Sequence, residues 1–311
     1  MSRELKIGFI LPQLDGKRVG SAPRWSEISE MATLAEDVGF DSLWLVDHLL
    51  YGFGPDDPPR GIWECWSLLA ALAATTTRAE LGTLVTCTGF RNPALLAKMA
   101  DTVEEISGGR LILGLGAGYY EREYTAFGFP YDHRVGRFEE ALIIIATLLR
   151  DGQIDFDGRF YQARDCELRP RGPRPEGPPI MIGTRGERML KLTAQHAHSW
   201  NGWLVRGGSK PEDIPELRAL VDTACAAVDR DPATLERTAT LWVEPGTDAK
   251  RDDNGPICGP PDEIAEQLLA FQREGISHIQ IATRAPKPHT IEALGAVLEA
   301  LDRANAGASA S

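Results

Sequence analysis

Asp47 and His48 follow directly on the apolar run Ser42-Leu-Trp-Leu-Val46. A histidine beside a carboxylate can exchange protons near neutral pH. If the run is a strand of a parallel sheet, both side chains stand at its carboxyl end, where α/β barrel enzymes gather their chemistry. An isolated pair would read as a turn cap with a satisfied polar neighbour; the strand-end position favours chemistry. A second group is Gly114-Leu-Gly116-Ala117-Gly118, which ends the run beginning at Arg110. Residues without side chains let the backbone approach a flat ligand or a phosphate, though they also relieve crowding at a barrel rim. The Gly-x-Gly-x-x-Gly spacing of a dinucleotide fingerprint is absent. A third group, Ile180-Met-Ile-Gly183-Thr184-Arg185-Gly186-Glu-Arg188, reads as a strand turning into a helix. The free N–H groups and positive dipole end at such a turn suit a phosphate. Two arginines there, in an acidic chain, favour an anion site over a plain capped helix.

Other reactive residue types carry less. Thr86 and Cys87 end the third apolar run, but Cys87 has no Cys or His partner nearby in sequence, and a lone buried thiol is ordinarily inert. His133, His196, His198, His278 and His289 lack metal-ligand spacing, so no metal is expected. Trp200 and Trp203 bracket Asn201-Gly202 at a strand end and could line a pocket. Arg91 and Lys98 flank the exit of the third strand and are surface charges unless a ligand brings an acidic tail.

The elements that must position these residues alternate almost throughout. Strands are expected at Lys6–Leu11, Ser42–Val46, Glu80–Thr86, Arg110–Leu115, Ile180–Gly183, Ser199–Gly202, Ala239–Val243 and Ser277–Ala282. Helices are expected at Arg24–Val38, Trp63–Thr76, Ala94–Ser107, Arg134–Arg150, Glu187–Gln195, Pro211–Val228, Pro261–Glu274 and Ile291–Ala304. The first helix buries Ile28, Met31, Ala35 and Val38 and has Gly39 as its C-terminal cap. The third has Asn92 as N-cap and Pro93 at its first position. Eight strands alternating with about eight helices predict a parallel sheet, and eight is the number that closes a (β/α)8 TIM barrel; an open doubly wound sheet is the rival. Residues 151–179 break the alternation after the fourth βα unit. Asp157-Gly158 between two β-prone runs predicts a hairpin, and five prolines from Pro170 to Pro179 make a stiff return. The expected organisation is one barrel domain over 1–304 with this insertion, and a flexible tail over 305–311.

Composition bounds the partners. The chain has 311 residues, 43% of them apolar, and a formal charge of −12. That charge disfavours nucleic acid or an anionic membrane as partner. Five scattered cysteines suggest no disulfide framework and fit a reducing, cytoplasmic compartment. The N-terminus enters a strand almost at once, without a signal-peptide pattern. No run approaches the ~18 apolar residues of a membrane span.

With these residues in view, the chain resembles the luciferase-like monooxygenase superfamily. The matching features are Trp44-Leu-Val-Asp47-His48; Leu81 to Thr86 with Arg91-Asn-Pro93; Ser107-Gly-Gly-Arg110 through Gly114, Gly116 and Gly118 to Glu121; and Pro179 to Gly183 with Ala197-His-Ser-Trp200-Asn201-Gly-Trp203. They cover nearly the whole chain in the family's order. The resemblance implies a (β/α)8 barrel that binds coenzyme F420 or FMN at its carboxyl face. Asp47-His48 and Gly116-Ala-Gly118 through Tyr124 look more like the F420-dependent branch. That branch implies a non-prolyl cis peptide near Thr86-Cys87, behind the cofactor ring. It further implies His48, oriented by Asp47, as proton-exchanging residue, with Tyr119 as the alternative donor. The ribityl and phosphate region falls to Gly116, Ala117, Gly118, Gly183, Thr184, Arg185 and Gly186, and an acidic tail to Arg91 or Lys98. Two departures stand out. Flavin-using luciferases place Arg at about Ala117, and F420-dependent glucose-6-phosphate dehydrogenases place an acidic Glu at about Tyr119. The expected reaction is hydride transfer with a small organic substrate whose pocket is shaped by loops such as Tyr51–Arg60. The expected assembly is a homodimer. The FMN alternative would be a monooxygenase using reduced flavin and O2, and would need a flavin reductase partner.

Overall fold

A computed structural model describes residues 3–16, 20–52, 59–205, 209–246 and 255–308. Its strands in chain order are β1 (Lys6–Ile10), β2 (Ser42–Leu45), β3 (Glu80–Thr83), β4 (Thr86–Cys87), β5 (Leu111–Gly116), β6 (Gln153–Asp157), β7 (Gln162–Glu167), β8 (Ile180–Gly183), β9 (Ser199–Trp203), β10 (Glu236–Pro245), β11 (Ile257–Gly259) and β12 (His278–Ala282). The expected strands are present, and all but the third are single elements. They run parallel, alternate with helices, and form the (β/α)8 barrel class that the alternation predicts. The chain forms two compact units: residues 1–11, 26–44 and 184–311, and residues 12–25 and 45–183.

In the first unit β9, β10, β12, β1 and β2 lie side by side, all parallel, and β11 adds a short parallel edge to β10. Apolar side chains such as Ile7, Phe9, Leu43, Ile279 and Ile281 are buried, and a polar layer is enclosed with them. The Trp44 indole N–H donates to Ser42 Oγ at 2.7 Å, and Ser42 Oγ lies 2.7 Å from His278 Nε2. Gly8 makes room for them: a Cβ there would stand 2.3 Å from Ser42 Oγ. Burial, reinforced by the charge on Lys6, pushes the His278 imidazole down to about 3. Asn201 donates to Thr238 Oγ1 and Gln280 Oε1 and accepts from Thr240.

In the second unit β3, β5 and β8 are parallel. The strand expected over Glu80–Thr86 divides. It leaves the ladder after Thr83, the Leu84 N–H donates to the Leu45 carbonyl, and the chain rejoins β5 as β4. The non-prolyl cis peptide expected near Thr86-Cys87 is present, at Leu84–Val85. The hairpin of 151–179 is present as antiparallel β6 and β7, but its connection is wider than the two-residue turn expected at Asp157-Gly158. Glu140, on the helix Arg134–Asp151, accepts the N–H groups of Arg159, Phe160 and Tyr161 and so opens the loop.

The caps follow the sequence. Asn92 accepts from the N–H groups of Ala94 and Leu95 at the start of the helix Pro93–Ser107, and Gly39 has φ +101 after Trp25–Asp37. Short elements escape the sequence reading: the helix Glu121–Phe127, the strand β11 and the 3-10 turns Thr88–Phe90, Pro232–Thr234 and Pro211–Asp213, the last of which starts the helix expected over Pro211–Val228. The last helix, Pro288–Ala308, runs past Ala304. None of the described helices is long and apolar enough to cross a membrane. Of the loop Tyr51–Arg60, residues 53–58 lie outside the described residues.

Candidate active site

In the second unit Asp47 and His48, adjacent in sequence, take separate partners. The Asp47 side chain has no exposed surface and receives a two-pronged Arg91 guanidinium, at 2.6 Å on Oδ2 and 2.9 Å on Oδ1. The Cys87 N–H donates to Oδ2 at 2.9 Å. Burial pushes the Asp47 carboxyl up from the usual carboxylate range, and Arg91 and the Cys87 N–H pull against it. Arg91 reaches Glu64 as well, at 2.7 Å, and Glu64 caps the helix Cys65–Thr75. Two expectations are corrected by this geometry: Asp47 pairs with Arg91 where it was expected to orient His48, and Arg91 is spent on Asp47 and Glu64, so it is not poised for an acidic tail. Lys98 is likewise engaged, by the Arg169 carbonyl.

His48 is oriented by Glu123. Its Nδ1 lies 2.9 Å from Glu123 Oε2, while Oε1 accepts the N–H groups of Leu49 at 2.5 Å and Leu50 at 3.1 Å. The Glu123 side chain is buried, whereas His48 keeps 14% of its side-chain surface open. The rings of Tyr51 and Tyr119 meet the imidazole edge-on, at 4.9 Å and 5.7 Å between centroids. The two candidate proton donors, His48 and Tyr119, are therefore brought together, and Tyr119 is the more exposed.

The glycines of 114–118 have their own reasons to be glycine. A Cβ at Gly114 would stand 1.8 Å from the Thr83 carbonyl oxygen, and one at Gly116 2.6 Å from Val85 Cγ2. Gly118 has φ +70, and a Cβ there would stand 2.2 Å from the Tyr124 hydroxyl. That hydroxyl donates to the Ala117 carbonyl at 3.0 Å and lies 2.9 Å from Cys87 Sγ. With its hydrogen given to Ala117, it accepts from the thiol. Burial pushes the Cys87 thiol up to about 12, so it stays protonated and is not a nucleophile. Arg134 donates to the Gly118 carbonyl at 2.6 Å, and Arg134 and Arg137 line a shallow recess with Ala117, Thr88 and Tyr124. Thr86 Oγ1 is buried with no hydrogen-bond partner among the described residues. Gly183 faces Val85, which a Cβ would meet at an ordinary 3.4 Å.

In the first unit Thr184 and Arg185 are tied to β9. The Thr184 carbonyl accepts from the Trp200 indole at 2.7 Å, and Arg185 donates to the Trp203 carbonyl at 2.7 Å. The Gly186 N–H donates to Thr184 Oγ1 at 3.3 Å, and the helix Glu187–His196 begins there without a side-chain cap. Among the described residues no group of three metal-ligating side chains comes together.

Sequence reasoning missed Glu123, Glu64, Tyr124 and Arg134. Glu123 and Tyr124 were readable as the polar end of the run from Gly116 to Tyr124. Nothing local marks Glu64 or Arg134.

A family model described as luciferase-like monooxygenase matches residues 5–254. The chain belongs to the luciferase-like monooxygenase family. It is similar to the 5,10-methylenetetrahydromethanopterin reductase of Archaeoglobus fulgidus, 28% identical over 288 residues that cover 90% of this chain and 75% of the relative. Among solved structures it resembles an F420-dependent secondary alcohol dehydrogenase in complex with an F420–acetone adduct, with TM-score 0.80, 19% identity and coverage of 96% and 99%. It also resembles a riboflavin lyase with modified FMN and riboflavin, with TM-score 0.79, 16% identity and coverage of 97% and 92%. Both likenesses carry the barrel fold. This luciferase-like protein is thus a member of an oxidoreductase family.

Proposed function

We propose that the protein is an F420-dependent oxidoreductase that moves a hydride between the deazaflavin and a small organic substrate. The observation that carries the reading is the partly open His48, held by a buried Glu123 and flanked by Tyr119, beside an uncharged Gly116-Ala117-Gly118 turn. The F420 enzyme among the structural relatives supports it. The chain also offers a place for a polar ring edge: the buried Thr86 hydroxyl has no partner among the described residues, and leaving such a group unsatisfied costs roughly 1–3 kcal/mol.

A bound deazaflavin supplies a ring carbon that gives or takes hydride. His48 Nε2 takes a proton from a substrate oxygen in one direction and returns it in the other. Glu123 holds the imidazole still, and Asp47 with Arg91 fixes the backbone at Cys87. Backbone groups of Gly116 to Gly118 hold the ribityl and phosphate region. The working assembly is a homodimer.

Arg134 and Arg137 beside Ala117 favour one second reading, an FMN-dependent monooxygenase: they bring positive charge to that turn, although Arg134 is bonded to the Gly118 carbonyl and Arg137 to Asp132, so a flavin phosphate would have to displace those bonds. Fluorescence titration of the protein with F420 and with FMN separates the two. Micromolar F420 binding with weaker FMN binding is expected. FMN binding without F420 binding, with oxygen consumed on adding reduced FMN, would replace the first reading with the second.

A further inference from the structure

Glu123 accepts three hydrogen bonds that serve different ends. Its Oε1 takes the N–H groups of Leu49 and Leu50, which follow His48 in the chain, and its Oε2 faces His48 Nδ1 at 2.9 Å. The same carboxylate thus fixes both the backbone that carries His48 and the ring itself. A carboxylate offers only lone pairs, so the nitrogen facing it carries the hydrogen. The Tyr51 and Tyr119 rings close edge-on against the imidazole and limit its rotation. Glu123 is buried while His48 is partly open, the division expected of an orienting group and a reacting one.

We infer that Glu123 is a positioning residue that fixes His48 in the Nδ1–H form and leaves Nε2 as its proton-exchanging atom. The inference rests on the proposed role of His48, but the tautomer is measurable without cofactor or substrate. Glutamine is the informative substitution. In Glu123→Gln the amide oxygen still accepts from Leu49 and Leu50, while the amide NH2 now faces Nδ1 and donates to it. The ring must then carry its hydrogen on Nε2, the wrong form for accepting a proton there. A swap of this kind elsewhere keeps the geometry and still costs about 10⁴-fold in turnover through the tautomer.

The test is 15N NMR of the ring nitrogens in histidine-labelled protein, with the His48 signals assigned by their loss in His48→Asn. The wild type should show the Nδ1–H form at His48, and Glu123→Gln the Nε2–H form with an unchanged melting temperature. Wild-type signals of the Nε2–H form, or of fast exchange between the two forms, overturn the inference and need no variant. An unchanged tautomer in a folded Glu123→Gln overturns it too. If Glu123→Gln does not fold, the wild-type spectrum alone decides. With F420, the variant should lose at least 10²-fold in kcat at unchanged cofactor affinity. Loss of F420 binding by the wild type would instead remove the functional reading and leave the tautomer result standing.

Discussion

Asp47 and His48 are neighbours in the chain and opposites in the fold. Asp47 is closed: its carboxylate is out of solvent and consumed by Arg91 and the Cys87 N–H. His48 is held on one side by Glu123, met by the Tyr51 and Tyr119 rings, and still partly open. Successive residues of extended chain point to opposite sides, so an adjacent acid and histidine there do not face each other. Each takes its partner from a different segment: Asp47 takes Arg91, after the turn Thr88–Phe90, and His48 takes Glu123, on the helix Glu121–Phe127. The adjacency that drew attention to the pair thus marks a division of labour: one residue builds the site, and the other works in it.

Stability and turnover should separate the two. Arg91→Ala leaves a buried carboxylate without its counter-charge and should cost about 3–5 kcal/mol of stability, read by chemical denaturation. His48→Ala should cost less, about 1–2 kcal/mol, because the ring is partly exposed and Glu123 keeps the Leu49 and Leu50 N–H donors. It should lower turnover about 10²-fold or more at unchanged F420 affinity, the usual share of a general acid or base. Equal stability losses for the two variants would erase the distinction. Unchanged turnover in His48→Ala would move the proton role to Tyr119.

A second histidine sharpens the contrast. His278 is closed as Asp47 is, among Ser42, Trp44 and the charge of Lys6, and burial pushes it down to about 3. An unfolded histidine titrates near 6.5. Above pH 6.5 both states are neutral at this residue and it adds no pH dependence. Below that, the unfolded chain binds a proton that the folded chain refuses, so stability falls by ~1.4 kcal/mol per pH unit down toward pH 3. At pH 5 the loss should be about 2 kcal/mol relative to His278→Gln, measured by urea denaturation of both. Equal acid sensitivity of the two proteins would show that His278 is not closed as described.

The contrast also explains what the sequence could tell. The strands were legible because buried parallel strands are short apolar runs, and the ends of the long helices because Asn92-Pro93 and Gly39 cap by local chemistry. The strand-end residues were therefore legible as well. Their partners were not. Glu123 lies 75 positions from His48, and Arg91 lies 44 from Asp47, so only the fold joins them. The glycines of 114–118 were visible as a cluster, but their reasons are contacts with Thr83, Val85 and Tyr124 that no spacing reveals. The break in the third strand is of the same kind: Glu80 to Thr86 reads as one continuous strand, and the chain leaves the ladder only where Leu84 turns to Leu45.

The smallest expected effect probes the glycine turn. Tyr124 is closed, its hydroxyl held between the Ala117 carbonyl and the Cys87 thiol, and burial pushes its pKa above the usual tyrosine range. Tyr124→Phe removes the hydroxyl and little else. One hydrogen-bond donor to Ala117 is lost, which should cost about 1 kcal/mol in thermal denaturation. If Gly116 to Gly118 hold the cofactor as proposed, the loosened turn should weaken F420 binding several-fold in the fluorescence titration while leaving the pH profile of turnover in place. That outcome would set Tyr124 beside Asp47, as a closed residue that shapes the site without exchanging protons in it. Lost stability with unchanged affinity would mean that the turn packs against its own chain alone and that the cofactor's hold lies elsewhere, with Thr184 to Gly186 the next segment to vary.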